Sequence, residues 1–276
     1  YINQILILNE GYYDYYDTQE IIEPVTIGSY DIMSNEYLEV IAIEGARFAS
    51  DLIIDDEYFY VAADNKILKY NLDTYDLVEE IMVAGARNLA IHEDKLFVSR
   101  GDYDPTTFGP ILFDSYLHVY NKNNLDFITQ FDTIAGPKWS TQNMIINDNL
   151  LYVTINNGFE WGNEKGLVGV IDIPYMLYIN EIDLGPDGKN PDNIMKDNNT
   201  IYTVNNKDWS GMSISQIDIT TSNVSTTNMS IASTGCGTSC LKDDKIIYQI
   251  SGDTELYEWD GSVTSAIGMS DSFYKL

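Results

Sequence analysis

A glycine-led unit recurs along this chain and limits its fold more than any other feature. Gly45-Ala46-Arg47 is followed by Leu52-Ile53-Ile54, Asp55-Asp56 and Tyr58-Phe59-Tyr60-Val61, then by Ile67-Leu68-Lys69-Tyr70-Asn71 and the segment 76–81. The same order returns from Gly85-Ala86-Arg87, Gly136-Pro137-Lys138, Gly185 and Gly235. Segments 5–8 and 25–31 carry an earlier copy. The glycines stand 40, 51, 49 and 50 residues apart. About 40 to 45 residues is the period of one four-stranded propeller blade. The excess collects between the second and third strands, at 100–115, 156–166 and 205–213. Equivalent loops of a propeller leave from one face, so these insertions should build one surface. Each unit reads as four short strands separated by Asp, Asn and Gly turns. Segments such as 58–61 are apolar on both faces, as blades stacked face to face require. A β-sandwich predicts no such period, and a β-helix has a shorter one. The expected fold is therefore all-β, a β-propeller of six or seven four-stranded blades. It is expected to form one domain over 1–276, with units beginning near 1, 45, 85, 136, 185 and 235. The tail 271–276 is expected to contribute to a further strand.

The length of 276 residues suits one large all-β domain, and a hydrophobic fraction of 44% suffices for its core. Fifteen Lys and Arg against 43 Asp and Glu leave a formal charge of −28. Such a charge repels phosphates, which argues against nucleic acid as a partner and favours neutral or cationic ones. No apolar run is long enough to span a bilayer, so direct membrane insertion is not expected, and no signal peptide is expected within these residues. The chain opens at Tyr1 without Met and is rich in Tyr, with 21, which points to a trimmed, exported domain, extracellular or on the outer cell surface. The two cysteines, Cys236 and Cys240, do not form a CxxC pair. A local disulfide and two free thiols both remain open.

Catalytic signatures are sparse. There is no Gly-x-Ser-x-Gly elbow, P-loop or HExxH. His92 and His118 read as structural, and no catalytic residue is expected. Cofactor candidates are limited to calcium, at Asp102 with Asp104 or at Asp187 with Asp192. Arg100-Gly101-Asp102 reads as a chance tripeptide. Arg47, Arg87 and Lys138 occupy one register in the repeat, with Lys189 close to it. They are expected to start the innermost strands and to converge at a channel mouth. There they would either hold an anionic or dipolar group or pair with acids one by one. Large rings concentrate in the loops: Tyr12, Tyr13, Tyr15 and Tyr16, then Tyr103 and Phe108, then Phe159 and Trp161, then Trp209, with Trp139 beside Lys138. Rings on loops of one face suggest a stacking platform; otherwise they cover blade edges.

The Gly-Ala/Pro-Arg/Lys entry, the Asp/Asn hairpin before hydrophobic-Tyr-Val and the strand ending in Asp or Asn resemble the YncE-like propellers. The opening Leu6-Ile7-Leu8-Asn9-Glu10-Gly11 resembles the surface-lipoprotein branch of that superfamily, that of the BtuG-type propellers. The resemblance implies a surface location and ligand capture, with a cobalamin-like molecule among the ligands it suggests. The WD40 Gly-His and Trp-Asp signature, the kelch Gly-Gly pair and the integrin-type DxDxDG are missing. The leading reading is a binding propeller that captures a small molecule or glycan. Arg47, Arg87, Lys138 and Lys189 would supply charge; Tyr103, Phe108, Trp139, Trp161 and Trp209 would supply stacking. The alternative is a docking platform for a surface protein partner within a larger complex. A lactonase-like or lyase-like enzyme stands third.

Overall fold

Tight turns built from acids and amides set the strand pattern. After the first strand of each complete sheet, Asp56, Glu93, Asp148, Asn198 and Asp243 take φ values of +48° to +53°. Asp and Asn tolerate this left-handed region better than most side chains. After the third strand, the terminal Asp or Asn folds its side chain back over the turn. Asn71 accepts the amides of Asp73 and Thr74, Asp172 that of Tyr175, Asp218 that of Thr221, and Asp260 those of Ser262 and Val263. These bonds hold the Asp218 and Asp260 carboxyls below the usual range. Many of the acids thus close hairpins.

A computed structural model describes residues 4–209, 211–229, 233–235 and 239–269. The chain forms two compact units, Tyr1–Gln130 and Phe131–Leu276. In the first unit, β1 (Gln4–Asn9) leads through a small ribbon of β2 (Tyr12–Tyr13) and β3 (Ile21–Glu23) to β4 (Val25–Asp31) and β5 (Glu36–Ile43). The order β1-β4-β5 makes a three-stranded antiparallel sheet. Two four-stranded meanders follow. One is β6 (Ala49–Asp55), β7 (Tyr58–Ala63), β8 (Lys66–Asn71) and β9 (Leu77–Met82). The other is β10 (Ala86–His92), β11 (Lys95–Arg100), β12 (Ser115–Asn121) and β13 (Phe127–Asp132).

The second unit holds three such meanders. The first is β14 (Thr141–Asn147), β15 (Leu150–Ile155), β16 (Leu167–Asp172) and β17 (Leu177–Asp183). The second is β18 (Pro191–Asp197), β19 (Thr200–Asn205), β20 (Met212–Asp218) and β21 (Val224–Met229). The third is β22 (Ser239–Lys242), β23 (Lys245–Gln249), β24 (Glu255–Trp259) and β25 (Thr264–Met269). The described residues contain no helix. They make six sheets of this kind, five of them four-stranded. The tail 271–276 lies outside the described residues.

Second and third strands carry the core. In β7, β11 and β15 every residue after the first is buried, so both faces are covered. Fourth strands such as β9 are mostly exposed. Burying a side chain such as Val61, Leu96 or Leu151 contributes roughly 1.5 to 3 kcal/mol. The three insertions fall where the repeat places them, between β11 and β12, β15 and β16, and β19 and β20. The β1–β4 connection adds a fourth.

The register of the basic residues differs from the one the glycines suggest. Ala49, Ala86, Thr141 and Pro191 make equivalent pairs, with Ala63, Arg100, Ile155 and Asn205, each beside a bulge. Counted from that rung, Arg47 is equivalent to Ala84, Trp139 and Lys189. Arg87 lies three places later and Lys138 one place earlier. Arg47, Arg87 and Lys138 therefore do not form a ring of equivalent residues. The reason is the linker after each glycine. Ala86 follows Gly85 at once, whereas Ala49, Thr141 and Pro191 come four, five and six residues after theirs. The glycine marks a turn and not a rung. Gly45, Gly85, Gly185 and Gly235 have φ between +70° and +78°, while a Cβ on Gly136 would lie 2.6 Å from that of Phe131.

Candidate binding clefts

Among the described residues, each unit has a cleft where the segment before a first strand meets an insertion loop. The cleft of the first unit, about 350 Å³, is lined by Arg47, Asn65, Ala84, Asp102, Tyr103 and Phe113 among others. Arg47 is held there by two carboxylates. Its Nε and Nη2 donate to Asp64 at 2.9 and 2.6 Å, and Nη2 also donates to Asp102 at 3.0 Å. The backbone N–H of Arg47 donates to the same Asp64 carboxylate. The hydrogen bond to Asp64 dominates in raising the Arg47 pKa, against the opposing effect of burial. Of the two readings of this cation, the structure gives the architectural one. Its carboxylates come from the end of one second strand and the start of the next insertion.

Arg87 sits in β10, outside the cleft, with its guanidinium carbon 5.5 Å from the centre of the Phe48 ring. Arg100 is buried. It donates to the carbonyls of Ala84 and Ser115 and lies over Phe113 at 4.2 Å. Its Nη1 also donates to His118 Nε2 at 2.8 Å, so that nitrogen is unprotonated, and Nδ1 then faces the Tyr120 hydroxyl at 3.0 Å. Burial, with Arg100 next to it, pushes the His118 pKa down to about 4. The Arg100-Gly101-Asp102 tripeptide is thus spent inside the fold.

Tyr103 and Phe108 do come together. Their rings stack at 6.2 Å, and Tyr16 stacks on Phe108 at 6.0 Å. Tyr15 packs on Tyr103 at 5.9 Å and shares a hydrogen bond with it, and Tyr13 meets Tyr15 edge to face at 4.7 Å.

The cleft of the second unit, about 520 Å³, is lined by Trp139, Asn163, Glu164, Lys165, Glu181, Asp183 and Lys189 among others. Trp139 and Lys189 hold here the register position that Arg47 holds in the first unit. Lys165 Nζ lies 4.8 Å from the Trp139 ring centre and donates to Asn163 Oδ1 at 2.6 Å. Neither Lys165 nor Lys189 makes an ion pair among the described residues. Glu164 accepts the amide of Gly162, and Asp183 that of Gly185, which fixes two carboxylates on the wall. Glu181 accepts from the Tyr178 hydroxyl at 2.7 Å.

Lys138 is exposed and lies outside this lining, as do Trp161 and Trp209. Trp161 is 75% exposed. Trp209 sits at φ +66° with its indole N–H buried. Asp104 caps its own turn by accepting from Thr106 and Thr107, and Asp187 lies 3.5 Å from Lys207 Nζ. Cys240 is half-buried in β22, and burial raises its thiol pKa; Cys236 lies outside the described residues. Sequence reasoning missed Lys165, Asn163, Glu181 and Asp183. Only the position of Lys165 within the insertion 156–166 could have signalled it.

No family model matches the chain, and no curated protein does. Among solved structures it is similar to BamB from Moraxella catarrhalis, with a TM-score of 0.57 and 9% identity over 96% of this chain and 78% of that one. At that identity the likeness shows the fold alone, and the fold is a β-propeller.

Proposed function

We propose that this propeller is a surface binding protein and that its second-unit cleft captures a neutral, polyhydroxylated ligand of glycan type. The observation that carries the reading is the lining. A tryptophan face lies beside two lysines outside any ion pair among the described residues and three carboxylates at fixed or walled positions. A ring face suits the C–H side of a sugar, while ammonium donors and carboxylate acceptors suit its hydroxyls. Two positive against three negative side chains leave the cleft close to neutral, so it selects for polarity and not for charge. The volume lies within the usual range for ligand sites, roughly 300 to 1,000 Å³. It is better matched to a few sugar rings than to a cobalamin, whose macrocycle and nucleotide loop would have to lie across the surface.

Calorimetric titration with a panel of neutral oligosaccharides tests this. A hit should weaken in Trp139→Ala and in Lys165→Ala and be recovered unchanged after incubation. A hit indifferent to both substitutions sinks the site; a cleaved sugar replaces binding by catalysis.

A further inference from the structure

The first unit carries an exposed aromatic ledge that the proposed cleft does not use. Five rings from two loops pack in sequence: Tyr13, Tyr15, Tyr103, Phe108 and Tyr16. The inner end is anchored. Tyr15 and Tyr103 are half-buried and hydrogen-bonded to each other. The outer end is bare: Tyr16 is 86% exposed and Phe108 46%, and their planes lie 21° apart. Nor are the loops slack. Asp14 accepts the amides of Tyr16, Asp17 and Thr18, and Asp104 accepts those of Thr106 and Thr107. The ledge is held out towards solvent by its own turns.

The two loops that carry it are acidic. Residues 10–24 contain Glu10, Asp14, Asp17, Glu20 and Glu23 with no Lys or Arg. Residues 101–114 contain Asp102, Asp104 and Asp114, again with no Lys or Arg. Of the basic residues against these loops, Arg47 is held by Asp64 and Asp102, and the buried Arg100 lies over Phe113. Exposed ring faces carried on the same loops as Asp14, Asp17 and Asp104, none of them in an ion pair among the described residues, complement a planar cation. A guanidinium stacks on aromatic faces while its N–H fork meets carboxylates.

We infer that the Tyr16–Phe108 ledge is a docking surface for an arginine-rich segment of a partner protein, with a guanidinium lying on the exposed rings. Acidic partners would be repelled.

The test must separate the ledge from the attraction that a charge of −28 exerts on any cation. The probes are an alternating Arg-Ser octapeptide and its Lys-Ser counterpart, titrated against the full chain by fluorescence anisotropy at fixed salt. The double variant Tyr16→Leu/Phe108→Leu keeps apolar bulk and every charge but removes both rings. The inference expects the Arg peptide to bind more tightly than the Lys peptide. It also expects the double variant to weaken the Arg peptide about tenfold, as loss of two exposed cation–π contacts implies. A change below twofold, or equal loss for both peptides, overturns it, because bulk charge or plain apolar contact then explains the binding. Should the double variant fold poorly by circular dichroism, Tyr16→Leu alone decides. Its ring is almost wholly in solvent, and the expected loss is about threefold.

Discussion

Arg47 and Lys189 occupy the same rung of the repeat, and each lines the cleft of its own unit, yet the two clefts are built on opposite principles. In the first unit the basic residue is a guanidinium locked between two buried carboxylates, so the cleft floor is part of the architecture. In the second unit it is an exposed ammonium outside any ion pair among the described residues, and Trp139 takes the same rung one blade earlier. A planar fork with five donors can satisfy Asp64 and Asp102 together, whereas a lysine is a point charge on a flexible stem. One scaffold position thus serves as a tie in one unit and as an exposed, cleft-lining group in the other.

The largest expected effect breaks that tie. Arg47→Met leaves two buried carboxylates without their cation, and removing one partner of a buried pair costs about 3 to 5 kcal/mol. Urea unfolding followed by circular dichroism should show the unfolding free energy fall by that amount. A change below about 1 kcal/mol would mean that Asp64 and Asp102 are satisfied by water and that the contrast between the clefts is overstated.

Acid should also act on the first unit, since both histidines lie there. His118 takes a proton near 6.5 when unfolded but only near 4 when folded. Between those values the unfolded chain binds more protons, so stability falls as pH drops through that window and is insensitive to this group above it. Allowing for partial solvent access, the loss is about 2 kcal/mol. It should vanish in His118→Gln, which keeps an acceptor for Arg100. Urea midpoints at pH 7 and 4.5 for both proteins measure it, and equal pH dependence would refute the assignment.

A smaller effect concerns Trp139. Trp139→Ala removes one half-buried ring and its contact with Lys165, and sugar affinity should fall roughly five- to tenfold while the unfolding midpoint moves little. A midpoint shift without loss of binding would make Trp139 a packing residue, like its tied counterpart Arg47.

The architecture was legible because turn chemistry repeats more faithfully than anything else. Asp56, Glu93, Asp148, Asn198 and Asp243 mark hairpins, four of the five in Asp or Asn, which tolerate left-handed backbone, and strands such as 58–61 announce burial on both faces. The insertions follow from counting. The candidate site was legible only in part. Tyr103 and Phe108 stack, and Trp139 and Lys189 line one cleft, but the basic ring does not form. Its register was taken from glycines whose distance to the strand varies from one residue to six. A positive φ constrains a turn without fixing how many residues follow it. Nor does spacing reveal that Asp64 and Asp102, 38 residues apart, close on one guanidinium. That contact depends on two neighbouring sheets packing, and no local pattern encodes it.

The smallest expected effect is the most telling control on the comparison. Lys189 shares the rung of Arg47, so a purely architectural role for that rung predicts a similar penalty on truncation. The second cleft predicts otherwise. Lys189 is exposed, has no ion pair among the described residues, and leaves no buried carboxylate behind when removed. Surface substitutions of this kind usually change stability by no more than about 0.5 kcal/mol. Lys189→Ala should therefore unfold at nearly the wild-type urea concentration while losing a few-fold in affinity for any sugar that binds wild type. The reciprocal substitution Arg47→Lys keeps the charge but loses the fork. It should fall between, at about 1 to 2 kcal/mol, because one of the two carboxylates loses its donor. If Lys189→Ala instead costs as much as Arg47→Met, the rung is a structural tie in both units, and the second cleft is no more a binding site than the first.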